Sequence, residues 1–285
     1  MNDPLYVAAR RVLLDALDAL VKHRDAVILA GAQAIYVRTG TADLDTSVAP
    51  YTTDADLTID PRTLGTEPQI DEAMYAAGFT RSEEPGIWLA STVVDGLERQ
   101  IPVDLLVPET LAGKGRRSAH LPGHGKNATR RTPGLEVAVV DHSDVLITSL
   151  EPHRDPRSVL VSVAGTAALF IAKAHKIAER LNDANAGRTQ RVKPKDASDI
   201  VRLMRVEPPD IVGTRLRELA DDDVAGETVR QGVEHIRALF NRRQSPGVEL
   251  AVRALAGALP ADSVRDLTVA YVAELIAAYG PVKRI

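Results

Sequence analysis

The chain has 285 residues, 45% of them hydrophobic and 26% charged, with a formal net charge of -4 and no cysteine. This composition describes a folded globular protein of one large or two ordinary domains, and it excludes disulfides, thiolate metal sites and cysteine nucleophiles. Aromatics make up only 4%, so Ala, Val, Leu and Ile must build the core, and any contact with nucleic acid must come from a local basic patch.

Residues 4–22 place apolar side chains at helical spacing and carry no basic stretch ahead of an apolar one. No run approaches the roughly 18 uncharged apolar residues that a membrane span requires. Together with the missing cysteines, this predicts a cytoplasmic protein with no membrane partner. "AVILAG" (26–31) reads as a short buried strand ending on a glycine, and "AQAIYVR" (32–38) as the helix that follows. In "DADLTI" (54–59) the alternation puts Asp54, Asp56 and Thr58 on one face of a strand. A helix is expected near 67–77, a hairpin of strands over 86–94 and 99–107, and further strands over 135–140, 144–150 and 158–164. From residue 165 the period becomes helical, through "GTAALFIAKAHKIAERL" and "KDASDIVRLMR" and then over 208–220, 225–241, 246–259 and 262–279. The reading is an α+β protein: a mixed sheet with helices over residues 1–160, then an all-helical domain over 161–285.

The two carboxylates of "TTDADLTI" share a strand face about 6.5–7 Å apart along the backbone. Such a pair is either a solvated turn or a seat for a hard divalent cation, and Mg²⁺ takes one or two carboxylates plus substrate phosphates. Asp104 is a single charge in the apolar strand "QIPVDLLVP" and supplies a third acid, which a two-metal phosphoryl-transfer site would use. Upstream, the strand, Gly31 and the following helix form a turn whose free N–H groups suit a phosphate, with Gly31 and Ala32 at its apex.

In order along the chain, these features resemble the nucleotidyltransferase fold shared with DNA polymerase β. The downstream "AALFIAKAHKIAER" and "KPKDASDIVRL" are similar to the third and fourth motifs of the AbiEii/MenT nucleotidyltransferase-like toxins of bacterial toxin–antitoxin systems, with Lys173, Arg180, Lys195, Asp196 and Asp199 at the matching positions. The resemblance spans roughly residues 25–205. It implies transfer of a nucleoside monophosphate from an NTP to the 3′ end of a tRNA acceptor stem, which would block aminoacylation. It further implies two Mg²⁺ held by Asp54, Asp56 and Asp104, catalytic roles for Lys173 and Asp196, and a cognate antitoxin as partner. The family's usual Gly-Ser or Gly-Gly is here Gly31-Ala32, which leaves backbone N–H groups as the phosphate donors.

Physically, Lys173 lies one turn from both Leu169 and Ile177, beside an apolar stripe, and so needs an anionic partner. Lys176 is the alternative nucleotide-binding lysine. Asp196 opens a helix, where it either orients Lys173 or meets the substrate. "GKGRRSAHLPGHGKNATRRTPG" (113–134) reads as a long mobile basic loop. Its Lys114, Arg116, Arg117, Lys126, Arg130 and Arg131 suit an RNA backbone, while its glycines and prolines forbid a helix that could pair His120 with His124 on zinc. Thr52 and Thr53, next to Asp54, are candidate phosphorylation sites, since a phosphate there would crowd an ion site. Two other readings share the residues: nucleotidyl transfer to a small molecule, as in aminoglycoside-modifying enzymes, and nucleotide or RNA binding without catalysis.

Overall fold

The computed structural model describes residues 3–40, 52–113 and 115–280. The chain divides into two compact units, Met1–Val37 with Ala49–Ala164 and Arg38–Val48 with Gly165–Ile285. The division falls at 164 rather than 160 because the last strand of the sheet continues to Ala164.

The first unit opens with α1 (Pro4–Ala19). Asp3 caps it by accepting from the Leu5 and Tyr6 amides at 2.8 and 3.3 Å, and Pro4 occupies a first-turn position that needs no N–H. A 3₁₀ turn leads into β1 (Val27–Ala30), and α2 (Gly31–Thr39) follows without an intervening loop. Next come β2 (Ala55–Ile59), α3 (Ile70–Ala76), β3 (Thr80–Arg81), β4 (Ile87–Val94), β5 (Leu97–Pro108), β6 (Arg130–Thr132), β7 (His142–Thr148) and β8 (Ser158–Ala164). Among the described residues these eight strands make one mixed sheet in the order β3-β4-β5-β2-β1-β8-β7, with β6 also paired to β5. β4 and β5 form the expected hairpin, closed by a two-residue turn at Asp95–Gly96. The buried side of α1 (Tyr6, Val12, Leu13 and Leu17 among it) packs on the sheet, and Trp88, Ile70 and Met74 complete that core.

The strand expected over 135–140 does not form. Leu135, Val137, Ala138 and Val139 are buried, yet their backbone closes turns: Ala138 N–H to Leu135 O at 3.0 Å and Asp141 N–H to Val137 O at 2.7 Å. The buried Glu136 carboxylate takes the Thr110 and Gly134 amides at 3.0 and 3.1 Å, so the segment satisfies its polar groups without a neighbouring strand.

The second unit is helical among its described residues, with α4 (Thr166–Asn185), α5 (Pro194–Met204), α6 (Pro209–Leu219), α7 (Gly226–Phe240), α8 (Pro246–Ala254) and α9 (Ala261–Tyr279). Proline begins α5, α6 and α8, each time in the first turn. α8 stops at Ala254, short of the expected 259, because Leu255–Leu259 turns back on itself through two hydrogen bonds to the Leu255 carbonyl. The strongest helix pairings are α6 with α9, α5 with α8 and α4 with α7. No helix among the described residues is long and apolar enough to cross a membrane.

Candidate active site

In the first unit, β2 and β5 set two of the predicted acids, Asp56 and Asp104, side by side. β2 lies between β1, which runs antiparallel to it, and β5, which runs parallel. The parallel register sets Asp56 directly opposite Asp104, and parallel neighbours in register project their side chains to one face. Asp54 lies two residues before Asp56, immediately ahead of β2. Asp56 is 8% exposed, and no hydrogen-bond donor or cation among the described residues reaches its carboxylate. A carboxylate at so little exposed a position is costly to hold charged without a counter-charge.

Gly31 closes the site from the β1 side. Its φ of +65° disfavours any side chain, and a Cβ built there would lie 1.8 Å from Asp56 Oδ2. The carboxylate therefore rests on the first residue of α2, where unpaired amides face outward from the helix end. Ala32, also predicted for nucleotide contact, is 4% exposed.

Asp104 carries a partner that the sequence did not disclose. Arg130 Nη2 donates to Asp104 Oδ2 at 2.5 Å, with the two side chains 26% and 17% exposed. Among the described residues, no group of three or more His, Cys, Asp or Glu side chains is disposed to hold a metal as it stands. By chemistry Asp54, Asp56 and Asp104 are oxygen donors of the kind a hard divalent cation takes, with Asp104 engaged by Arg130 and Asp54 by Thr52.

Two buried residues that sequence reasoning passed over hold Asp54 in place. Arg10 Nε donates to Gln33 Oε1 at 2.9 Å, which fixes the orientation of the amide. Gln33 Nε2 then donates to the carbonyls of Ala9 at 3.1 Å and Asp54 at 3.0 Å. Arg10 also binds the Thr148 carbonyl and the Tyr6 hydroxyl, both at 3.1 Å, and burial lowers its pKa from the ordinary value. A charged residue in the apolar stripe of α1 and a lone Gln in "GAQAIYV" were the available signals. Thr52 adds a hydrogen bond from its hydroxyl to Asp54 Oδ1. With that hydroxyl committed and Thr52 only 3% exposed, the expected phosphorylation does not suit Thr52.

The basic segment is packed rather than loose. Lys114 lies outside the described residues. Ala119, Leu121, Ala128 and Thr129 are buried, Trp88 Nε1 donates to the Ala128 carbonyl at 2.9 Å, and β6 pairs with β5 at the point where β4 leaves it. Of the predicted RNA contacts, Arg116, Arg117 and Lys126 are exposed. Arg131 instead ties the segment to itself, donating to the Glu109 and Gly113 carbonyls at 3.1 and 3.0 Å. His124 accepts from the Ile70 amide at 3.2 Å and sits 3.0 Å from the Gly65 carbonyl, so it anchors the segment.

The second unit gathers its own predicted residues into a charged cluster. Lys173 is 4% exposed and donates to Asp196 Oδ1 at 3.0 Å and to Asp199 Oδ2 at 2.7 Å. Arg180 also binds Asp196, and Lys195 reaches Asp199 at 3.3 Å. Burial pushes the Lys173 ammonium down, but Asp199 and Asp196 outweigh it and raise its pKa well above the usual lysine range. Burial likewise pushes the Asp196 carboxyl up, but Lys173, Lys176 and Arg180 outweigh it and hold it well below the usual carboxylate range. Lys173 thus has the anionic partners its position required, and they are protein carboxylates. Lys176 is half-buried and acts on Asp196 through its charge. A hollow of about 980 Å³ in this unit lies elsewhere, around the α7–α8 turn. There Arg243 pairs with Asp262 and Arg265 with Glu249.

No known family model matches the chain, and no curated protein matches it in sequence.

Proposed function

We propose that the chain is a divalent-cation-dependent nucleotidyltransferase of the AbiEii/MenT type, moving a nucleoside monophosphate from an NTP to the 3′ end of an RNA acceptor of the tRNA class. The observation that carries this reading is Asp56: a buried carboxylate without a counter-charge, in register with Asp104 and resting on the glycine that starts α2. Asp54, Asp56 and Asp104 would hold Mg²⁺, which supplies charge neutralisation and a more acidic attacking hydroxyl when bound. The 3′ hydroxyl of the acceptor gives its proton to solvent as its oxygen bonds to the α-phosphorus, the bond from that phosphorus to the α–β bridging oxygen breaks, and pyrophosphate leaves. The amides at the start of α2 suit the triphosphate, and the Arg10–Gln33 pair keeps the Asp54 backbone fixed while charge moves.

The acceptor class draws support from the basic segment. Its Arg130 touches Asp104, so the exposed Arg116, Arg117 and Lys126 belong to a segment anchored at the acids. A toxin role and a cognate antitoxin follow from the resemblance in sequence. The test is incubation of the purified protein with labelled NTPs, Mg²⁺ and total tRNA. Label should enter tRNA and vanish with Asp56→Asn. Equal labelling by that variant defeats the assignment, and label passing only to small acceptors such as aminoglycosides defeats the RNA part.

A further inference from the structure

We propose that Arg130 is a positioning residue that makes divalent-ion binding and RNA binding cooperative, by holding Asp104 until a phosphodiester draws the guanidinium away. The proposal rests on the nucleotidyltransferase reading above and adds to it an order of assembly.

The geometry begins at Gly86. Gly86 lies just before β4, where β6 takes over the same edge of β5, and a Cβ on Gly86 would lie 2.5 Å from Arg130 N and 2.6 Å from Arg130 Cβ. With φ at +72°, Gly86 lets the basic segment press its Arg130 backbone against the start of β4, next to the strand position of Asp104. The backbone bridges on either side do not involve the Arg130 side chain: Arg131 N–H donates to the Arg117 carbonyl at 3.0 Å and Ala119 N–H to the Thr129 carbonyl at 3.3 Å. The backbone of Arg130 is thereby fixed while its guanidinium stays a quarter exposed, with Nη2 on Asp104 and Nη1 3.9 Å from Glu84 Oε2. Glu84 is 55% exposed and also lies 3.8 Å from Arg117, so an outward seat exists among the exposed cations of the segment.

A divalent cation shared by Asp56 and Asp104 and a guanidinium on Asp104 exclude one another by like-charge repulsion. A phosphodiester offers Arg130 a stronger, bidentate partner. Moving to it withdraws that guanidinium from Asp104, and a bound cation likewise displaces Arg130 toward RNA. Coupling of this kind is reciprocal by thermodynamic necessity.

Two measurements test the proposal. Calorimetric titration with MgCl₂ should show Arg130→Gln binding the ion about tenfold more tightly than the wild type, the weight of one charge-assisted pair. Asp56→Asn should not bind it. Unchanged or weaker Mg²⁺ affinity in Arg130→Gln, with binding lost in Asp56→Asn, overturns the gate while leaving the enzyme reading intact. Wild-type affinity in Asp56→Asn overturns both. The second measurement needs no substitution: anisotropy of a short fluorescein-labelled single-stranded RNA titrated with wild-type protein at rising MgCl₂. Competition by counterions weakens RNA binding as Mg²⁺ rises, whereas the gate makes it several-fold tighter before screening sets in. Monotonic weakening rejects the proposal.

Discussion

Replacing Asp56 with Asn should stabilise the ion-free protein and remove its response to Mg²⁺. Adjacent strands lie about 4.8 Å apart, and two carboxylates about 5 Å apart repel by about 3 kcal/mol at an effective permittivity of about 20. Asp56 faces Asp104 across one strand spacing and Asp54 along its own strand, with only Asp104 partly neutralised, by Arg130. Against the relief of that repulsion stands about 1 kcal/mol for an asparagine amide that finds no acceptor. Allowing also for what Arg130 already cancels, the net gain is about 1–2 kcal/mol, or about 2–8 °C in melting temperature for a domain of this size. Saturating Mg²⁺ then inverts the order, since a ligand at a hundred times its dissociation constant adds about 2.7 kcal/mol to the wild type and nothing to the variant. The assay is differential scanning calorimetry of both proteins in EDTA and in MgCl₂. A variant that melts at or below the wild type in EDTA refutes the claim of uncompensated charge. A variant that gains as much as the wild type from Mg²⁺ refutes the claim that Asp56 holds the ion.

Gly31→Ala should cost about 1–3 kcal/mol from the positive φ alone and should abolish nucleotidyl transfer, because the new methyl occupies the place of Asp56 Oδ2; chemical denaturation and the labelling assay check both parts. Gln33→Leu removes the donor on the Asp54 carbonyl and leaves the buried Arg10 Nε without an acceptor, so it should lower kcat more than it changes NTP KM and cost about 1–3 kcal/mol of stability; unchanged kcat would dismiss the positioning role. The depressed Asp196 carboxyl makes stability fall with acid: the unfolded chain takes up the proton first, so this contribution is complete above about pH 4–5 and drains away as pH drops toward the folded value. Urea midpoints at pH 7 and in the acid range should therefore fall more steeply for wild type than for Asp196→Asn. Asp199→Ala should cost about 3–5 kcal/mol at pH 7, because it strips a carboxylate from a nearly buried ammonium; a loss below about 1 kcal/mol would show that Asp196 alone compensates Lys173.

Periodicity was sufficient for the elements that alternate or recur cleanly. The D-x-D strand, the lone Asp in β5, the glycine at the start of α2 and the Pro-led helices stand where residue pattern places them. It failed at 135–140, where an apolar run is buried by turns and by Glu136 rather than by a paired strand, since apolarity reports burial and not hydrogen-bond geometry. Register was beyond reach as well. Nothing in "DADLTI" or "VDLLV" says that Asp56 and Asp104 are direct neighbours, because cross-strand pairing depends on the whole sheet. The hold of Arg130 on Asp104 was out of reach for a related reason: counting cations along a segment reveals its charge but not which member folds back onto an acid.

The two acid clusters show how the same residue type can serve different ends. In the helical unit, Asp196 and Asp199 are met by Lys173, Arg180 and Lys195, and the shifts of Lys173 and Asp196 run in the directions that favour both charged forms. That cluster needs no ligand to be stable. In the sheet unit, Asp56 is buried to a similar degree, yet nothing among the described residues answers its charge, and its neighbour Asp104 is answered by an arginine with a second seat within reach. Folding alone would favour an apolar or amide side chain at position 56, since an unmatched buried charge lowers stability. A carboxylate at that position is explained when its counter-charge arrives from outside the chain, and the Asp56→Asn comparison with and without Mg²⁺ separates that explanation from mere tolerance of a costly residue.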